Sequence, residues 1–280
     1  MLKKILKYDL RAIYKYWWIG AVASFALSLL GSFGISFLNS EKDIPVPIEI
    51  FSYIAIVLTI IGYVAFIFLA QVLVFVRYYK NFYSDEGYLT FTLPAKRISL
   101  LNSKLITGTL ASLSTFIFCL LSGCMMLLIG FRNDIFTKET YEAIMEAWKE
   151  FIAIFETKAD VAMFVSVIVS VMLTALLTLI ASNQFMYLCI SIGASISKKA
   201  KVISAIGIYY FAGSVVSFII SMFSIFVSSA FVNWTIDLPE NEYDILFTLI
   251  PLILMFFIGI ICVALYAIHY RLLDKKLNLS

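Results

Sequence analysis

Six long apolar runs constrain this chain more than any other feature: about 16–38, 50–76, 105–131, 161–190, 202–232 and 245–268. Each exceeds the roughly 20 residues that a helix needs to cross a hydrocarbon core of about 30 Å. Several are long enough to tilt or to extend beyond it. Lipid offers no partner to backbone N–H and C=O groups, so such runs must close their hydrogen bonds internally, as helices. The expected fold class is an all-α membrane protein, with one six-span domain over residues 1–280. A soluble fold is excluded by polarity: 62% of residues are hydrophobic, 14% are charged and mean hydropathy is +0.98. That is too little polar character to cover a globule in water. Aromatic residues make up 16% of the chain, which suits two interfacial belts.

Charge sets the expected orientation. The segments 1–15, 77–104, 193–201 and 269–280 hold 16 of the 21 Lys and Arg residues. The alternate loops hold 14 of the 18 acids. Basic loops stay in the cytosol, so an even number of spans puts both termini there. No cleavable signal peptide is expected: the first run starts near Tyr16, is too long for a signal core and lacks a small-residue cleavage site.

Residues 2–15 show helical periodicity, with Leu2, Leu6, Leu10 and Ile13 on one face and Lys3, Lys4, Lys7, Arg11 and Lys15 on the other. A basic amphipathic helix of this kind lies in a membrane surface and also serves as a positive-inside anchor. Asp9 breaks the pattern, because at 100° per residue it falls among Leu2, Ile5 and Ile13. An acid there needs a partner. The expected partner is a basic residue of another inner segment, Lys96 or Arg97 first, with Lys104 behind them.

The first outer loop is short and holds two prolines, Pro45 and Pro47. The long outer loop has a helical stripe of its own over 137–157: Tyr141, Ile144, Met145, Trp148, Ile152 and Phe155. Glu139, Glu142, Glu146, Lys149 and Glu150 take the other side, which predicts an amphipathic helix on the membrane surface or against the tops of the spans. Pro251 predicts a kink in the last span. Cys119, Cys124, Cys189 and Cys262 all lie in apolar runs and read as small core hydrophobes, with neither a disulfide framework nor a zinc site.

Several chemistries are missing. No glycine is followed by lysine, so the chain lacks a phosphate-binding loop and is not an ATPase by itself. The one histidine, His269, reads as an interfacial anchor at the inner end of the last span. No metal-protease or nucleophile-elbow motif occurs, so catalysis, a metal site and a nucleic-acid partner are not expected. The polar residues inside the runs are Gln71, Asn183, Gln184 and many hydroxyls, with no carboxylate of the kind that ion-coupled transporters keep at mid-bilayer.

Small residues recur every fourth position in two runs: Gly20, Ser24, Ser28, Ser32 and Ser36 in the first, and Gly213, Ser217 and Ser221 in the fifth. Such stripes let helices approach closely in lipid. Two readings stand: packing within one chain, or a subunit interface or pathway lining.

The segment Arg77–Lys104 is the most distinctive polar break. Ser84 can cap a short helix over 84–94, whose first turn carries Asp85 and Glu86, favourable beside the positive end of the helix dipole. Tyr88, Leu89, Phe91 and Leu93 supply large contacts, and Pro94 stops the helix. Acids would be repelled by an anionic inner leaflet, so exposed aromatics beside them suit a groove on a protein.

These residues carry a resemblance. Lys7-Tyr8-Asp9-Leu10 and the run from Asp85 through Glu86, Gly87, Tyr88, Leu89 and Phe91 to Pro94 look like motifs of a membrane-protein family. They resemble the membrane subunits of ABC transporters of the type-2 exporter class, in particular permeases of Gram-positive bacteria. The resemblance implies that the N-terminal helix, which carries Asp9, is an elbow helix and that the inner segment is a coupling helix that docks an ATPase. It also implies two ATPase subunits carrying ATP and Mg, a second permease copy or a paralogue, and a pathway near spans one, two and five. The expected cargo is a peptide or an amphiphilic antimicrobial. The acidic outer helix is larger than the family's minimal pattern. The alternatives are a membrane-embedded sensor or interaction partner without transport, and an ion-coupled secondary transporter.

Overall fold

The structure is a computed structural model and describes residues 2–40, 44–84, 86–87, 97–153, 155, 158–196, 200–235 and 243–275. Among these residues every regular element is a helix: α1 (Leu2–Leu38), α2 (Val46–Tyr83), α3 (Arg97–Gly130), the short α4 (Arg132–Ile135), α5 (Lys138–Ala153), α6 (Lys158–Ile196), α7 (Lys201–Thr235) and α8 (Tyr243–Lys275). Six of them, α1, α2, α3, α6, α7 and α8, are long and apolar enough to cross a membrane. The chain is thus a multi-pass membrane protein in composition and helix length.

The helices are longer than the apolar runs. α2 covers Val46–Tyr83, extending past the run at both ends. α1 is one unbroken helix of 37 residues, about 55 Å at 1.5 Å per residue. The expected surface helix over 1–15 and span over 16–38 are thus parts of one continuous helix. One stripe explains why. Asp9, Ile13, Trp17, Ala21, Ser24, Ser28 and Ser32 are all buried, at successive spacings of three or four residues. The buried face crosses the supposed boundary without a change of phase, and no Gly or Pro lies between Leu10 and Ile19 to break the helix.

The chain divides into two compact units, Met1–Arg77 with Ile106–Glu156, and Tyr78–Leu105 with Thr157–Ser280. In the first, Trp17 is the centre of a core with Ala21, Phe66 and Ala70, against which Tyr14, Leu73, Phe118 and Cys119 pack. Trp17 meets Phe66 at 5.4 Å and Phe118 at 5.6 Å between ring centroids, distances at which tilted and edge-on pairs are favourable. Its indole Nε1–H donates to Thr115 Oγ1 at 2.8 Å, and Tyr14 Oη–H donates to Ser114 Oγ at 2.9 Å. Gln71 Nε2 approaches Ser112 Oγ at 3.5 Å.

Further along α1, beyond this core, α1 and α2 approach closely. Ser24, Ser28 and Ser32 donate back to the carbonyls of Ala21, Phe25 and Leu29 at 2.7–3.0 Å, which satisfies each hydroxyl inside its own helix and leaves a small side chain at the contact. Thr59 Oγ1 lies 2.6 Å from the carbonyl of Leu27 on the facing helix. A methyl group at Gly34 would sit 2.8 Å from the Ser52 carbonyl oxygen, so this approach requires glycine.

In the second unit α6 packs against both α7 and α8. Apart from Ser170, its buried side chains among the described residues lie in its last part, at Asn183, Gln184, Met186, Tyr187, Cys189, Ile190 and Ser191. Asn183 Nδ2 donates to the Leu179 carbonyl at 3.0 Å. Near the end of α6, Gly193 meets α7 so closely that a Cβ would lie 2.5 Å from the Ala205 backbone nitrogen. Ser204 Oγ–H donates to the Gly193 carbonyl at 2.8 Å and fixes the contact. α8 continues through Pro251. The apolar windows of α6, α7 and α8 are only 6% buried each, against 33% for α1, so these helices offer most of their surface to lipid or to another chain.

Candidate functional site

The segment read as a coupling helix enters from α2 and leaves into α3. Asp85 and residues 88–96, including Tyr88, Leu89, Phe91, Pro94 and Lys96, lie outside the described residues. Its beginning is described. Ser84 Oγ–H donates back to the Lys80 carbonyl at 2.6 Å, and Gly87 N–H donates to the Ser84 carbonyl at 2.7 Å. Glu86 is exposed, whereas Gly87 is buried and a Cβ there would lie 2.8 Å from the Phe82 carbonyl oxygen. Glycine at 87 is what allows the chain to turn back over the end of α2.

Both flanks of this segment are anchored on the same two helices. On the α2 side, Tyr78 and Phe82 are each 1% exposed. The Tyr78 ring stacks on Tyr187 of α6 with centroids 4.1 Å apart, and on Phe82 at 4.9 Å. Tyr78 Oη lies 2.7 Å from His269 Nε2 of α8 and 3.1 Å from Ser191 Oγ of α6. Ser191 Oγ in turn lies 3.2 Å from His269 Nε2 and donates to the Tyr187 carbonyl at 2.8 Å. The second ring nitrogen, His269 Nδ1, is buried and has no hydrogen-bond partner among the described residues.

On the α3 side, Tyr187 Oη–H donates to the Lys104 carbonyl at 3.0 Å, and Tyr266 Oη–H of α8 donates to Asn102 Oδ1 at 2.8 Å. Arg97 Nη1 reaches the Leu273 carbonyl at 3.4 Å. Leu100, Leu101 and Leu273 are fully buried. A buried, hydrogen-bonded network of this kind holds one arrangement of its helices in preference to others. Among the described residues it joins tyrosine, serine and histidine side chains, and it ties both flanks of the segment to α6 and α8.

His269 is therefore no interfacial anchor: it is 0% exposed and sits in this knot. Sequence reasoning also passed over Tyr78, Tyr187, Ser191 and Tyr266. A signal was present, since Tyr187 and Ser191 are four residues apart, Tyr266 and His269 three, and Tyr78 and Phe82 four. Each pair shares one helix face.

Asp9 is buried, and the ion pair that the structure shows for it is with Arg77 of α2, Nε to Oδ1 at 2.9 Å. This pair forms because α1 and α2 run side by side and Arg77 closes the apolar run that faces Asp9. The two small-residue stripes part company. Ser24, Ser28 and Ser32 are buried inside the chain, and a Cβ on Gly20 would meet Phe66 at 2.6 Å, so this stripe is internal packing. On α7, Ser217 and Ser221 are exposed and Gly213 is half-buried.

Among the described residues no group of three or more His, Cys, Asp or Glu side chains is placed to hold a metal ion. Neither a protein-family model, nor a curated protein, nor a solved structure matches the chain.

Proposed function

We propose that the chain is the permease subunit of an ATP-driven exporter of the ABC class, with both termini in the cytosol of a bacterial cell. It works with two ATPase subunits, which carry ATP and Mg, and with a second permease copy or a paralogue. The cargo is a peptide or an amphiphilic antimicrobial. One observation carries the mechanical part: the two flanks of the Asp85–Pro94 segment are locked onto the same pair of helices, α6 and α8, through Tyr78 and His269 on one side and Lys104, Asn102 and Arg97 on the other.

In this reading Asp85, Glu86, Tyr88, Leu89 and Phe91 enter a groove on the ATPase. Closure of the ATPase pair moves the segment, and the buried knot carries that displacement into the spans. Of the two stripes, only Gly213, Ser217 and Ser221 on α7 remain available for a contact with the second permease copy.

The test is co-expression with the chain encoded beside it, which should carry a phosphate-binding loop and no spans. The two should co-purify, and hydrolysis should rise with cargo. Glu86→Lys or Tyr88→Ala should insert normally and lose ATPase association by about 2 kcal/mol or more, roughly thirtyfold. Recovery and transport equal to wild type in both variants would sink the docking assignment.

A further inference from the structure

The helix α5, between α3 and α6, has an apolar face that its own chain leaves uncovered. None of its residues is buried. Tyr141, Ile144, Trp148 and Ile152 are all more than half exposed, and Met145 is 39% exposed. At 100° per residue these five side chains fall within about 100° of arc. Glu139, Glu146 and Glu150 fall on the opposite side and Glu142 on the flank between, and all four are exposed.

We propose that this face is inserted in the interfacial zone of the bilayer, with α5 lying parallel to the membrane plane. Three observations choose lipid over a protein partner. First, α5 is joined to membrane-crossing helices at both ends, by residues 131–137 to α3 and by residues 154–157 to α6. A bilayer surface is therefore within reach at either end whatever else is present. Double tethering also makes insertion an intramolecular event, favoured by a high effective concentration of membrane.

Second, the face is built for a boundary. Trp148 and Tyr141 combine an apolar body with a polar edge, the residue types that settle at headgroup depth, and aliphatic residues lie between them. The rings of Trp148 and Phe151 are stacked at 5.6 Å, which broadens the apolar surface along one side of the helix. Third, the charges point away. A partner with basic groups would need the acids at the rim of the apolar face, yet Glu139, Glu146 and Glu150 lie across the helix from it. In the in-plane arrangement they stay in water, and repulsion from lipid phosphates is minimised. The apolar side chains then sit about 5–10 Å below the headgroup boundary.

The inference does not depend on the exporter reading, because it concerns only the helix and the membrane. It is tested on the intact chain in phosphatidylcholine vesicles, by quenching of tryptophan emission with brominated lipids and with aqueous iodide. The contribution of residue 148 is the difference between wild type and Trp148→Phe, a conservative change at an exposed position. The expected result is that this difference signal is quenched by bromines near the headgroups, less by bromines deep in the acyl chains, and little by iodide. Quenching by iodide alone would place α5 in water and overturn the proposal. Insensitivity to both quenchers would mean that protein covers the face, and would overturn it equally.

Discussion

Removing one oxygen atom, in Tyr78→Phe, is the sharpest way to ask whether the buried knot holds helices together. The substitution keeps the ring, so the stacking on Tyr187 at 4.1 Å and on Phe82 at 4.9 Å is retained and no cavity opens. What is lost is the contact of Oη with His269 Nε2 at 2.7 Å and with Ser191 Oγ at 3.1 Å. In a soluble core, stranding a buried polar partner costs about 1–3 kcal/mol. Between helices in a membrane the measured worth is smaller, about 0.6 kcal/mol on average and about 1.7 at most. Here Tyr78 serves two partners in a site closed to water, which argues for the upper part of that range. Ser191 Oγ already lies 3.2 Å from Nε2 and can take over part of the lost contact, which argues against the maximum. The expected loss is therefore about 1–1.5 kcal/mol, close to a tenfold change in the unfolding equilibrium. Unfolding by denaturing detergent in mixed micelles reads this directly, for Tyr78→Phe, His269→Gln and the pair. The double variant should lose less than the sum of the two. Losses that add, or a Tyr78→Phe variant within about 0.5 kcal/mol of wild type, would show that the hydrogen bonds do not hold the knot.

Asp9→Asn should destabilise by about 1.5–3 kcal/mol, the range for a hydrogen bond to a charged group. Arg77→Gln beside it should restore part of that, measured by the same unfolding assay. Ser28→Leu should lower folded yield by forcing a large side chain into the α1–α2 contact, at a cost of about 1–3 kcal/mol. A cysteine at the same position should give no cross-link between copies. Gly193→Leu should separate α6 from α7 and lower thermal stability, while Gly207→Leu on the same α7, where no atom lies within 4 Å of an added Cβ, should be tolerated.

The six helices were legible because the bilayer imposes one simple demand, length in apolar residues, and each run meets it. Their ends were not. α2 extends to Tyr83 through Arg77, Tyr78, Lys80 and Asn81, polar and aromatic residues that close an apolar run in sequence yet continue the helix in the structure. The continuity of α1 was hidden for the same reason: the lysines near its start disguise a buried stripe that begins at Asp9 and continues to Ser32. That Asp9 needed a partner followed from its place on the helical wheel. Which partner depended on the pairing of α1 with α2, a tertiary fact that no local pattern carries. His269 illustrates the limit most clearly. A lone polar residue at the end of a span is compatible with a solvated anchor and with a buried knot, and only the convergence of Tyr78 and Ser191 from distant parts of the chain decides between them.

The central claim is that the segment following α2 is where an ATPase binds. Photo-cross-linking tests it most directly, with a benzophenone amino acid in place of Tyr88 and, as a control, in place of Trp148. Membranes containing the chain and the co-expressed phosphate-loop protein are illuminated with and without ATP. The account predicts an adduct with that protein from position 88, with a yield that changes when ATP is present, and none from position 148. No adduct from position 88 in membranes that hydrolyse ATP, or equal adducts from both positions, would contradict it.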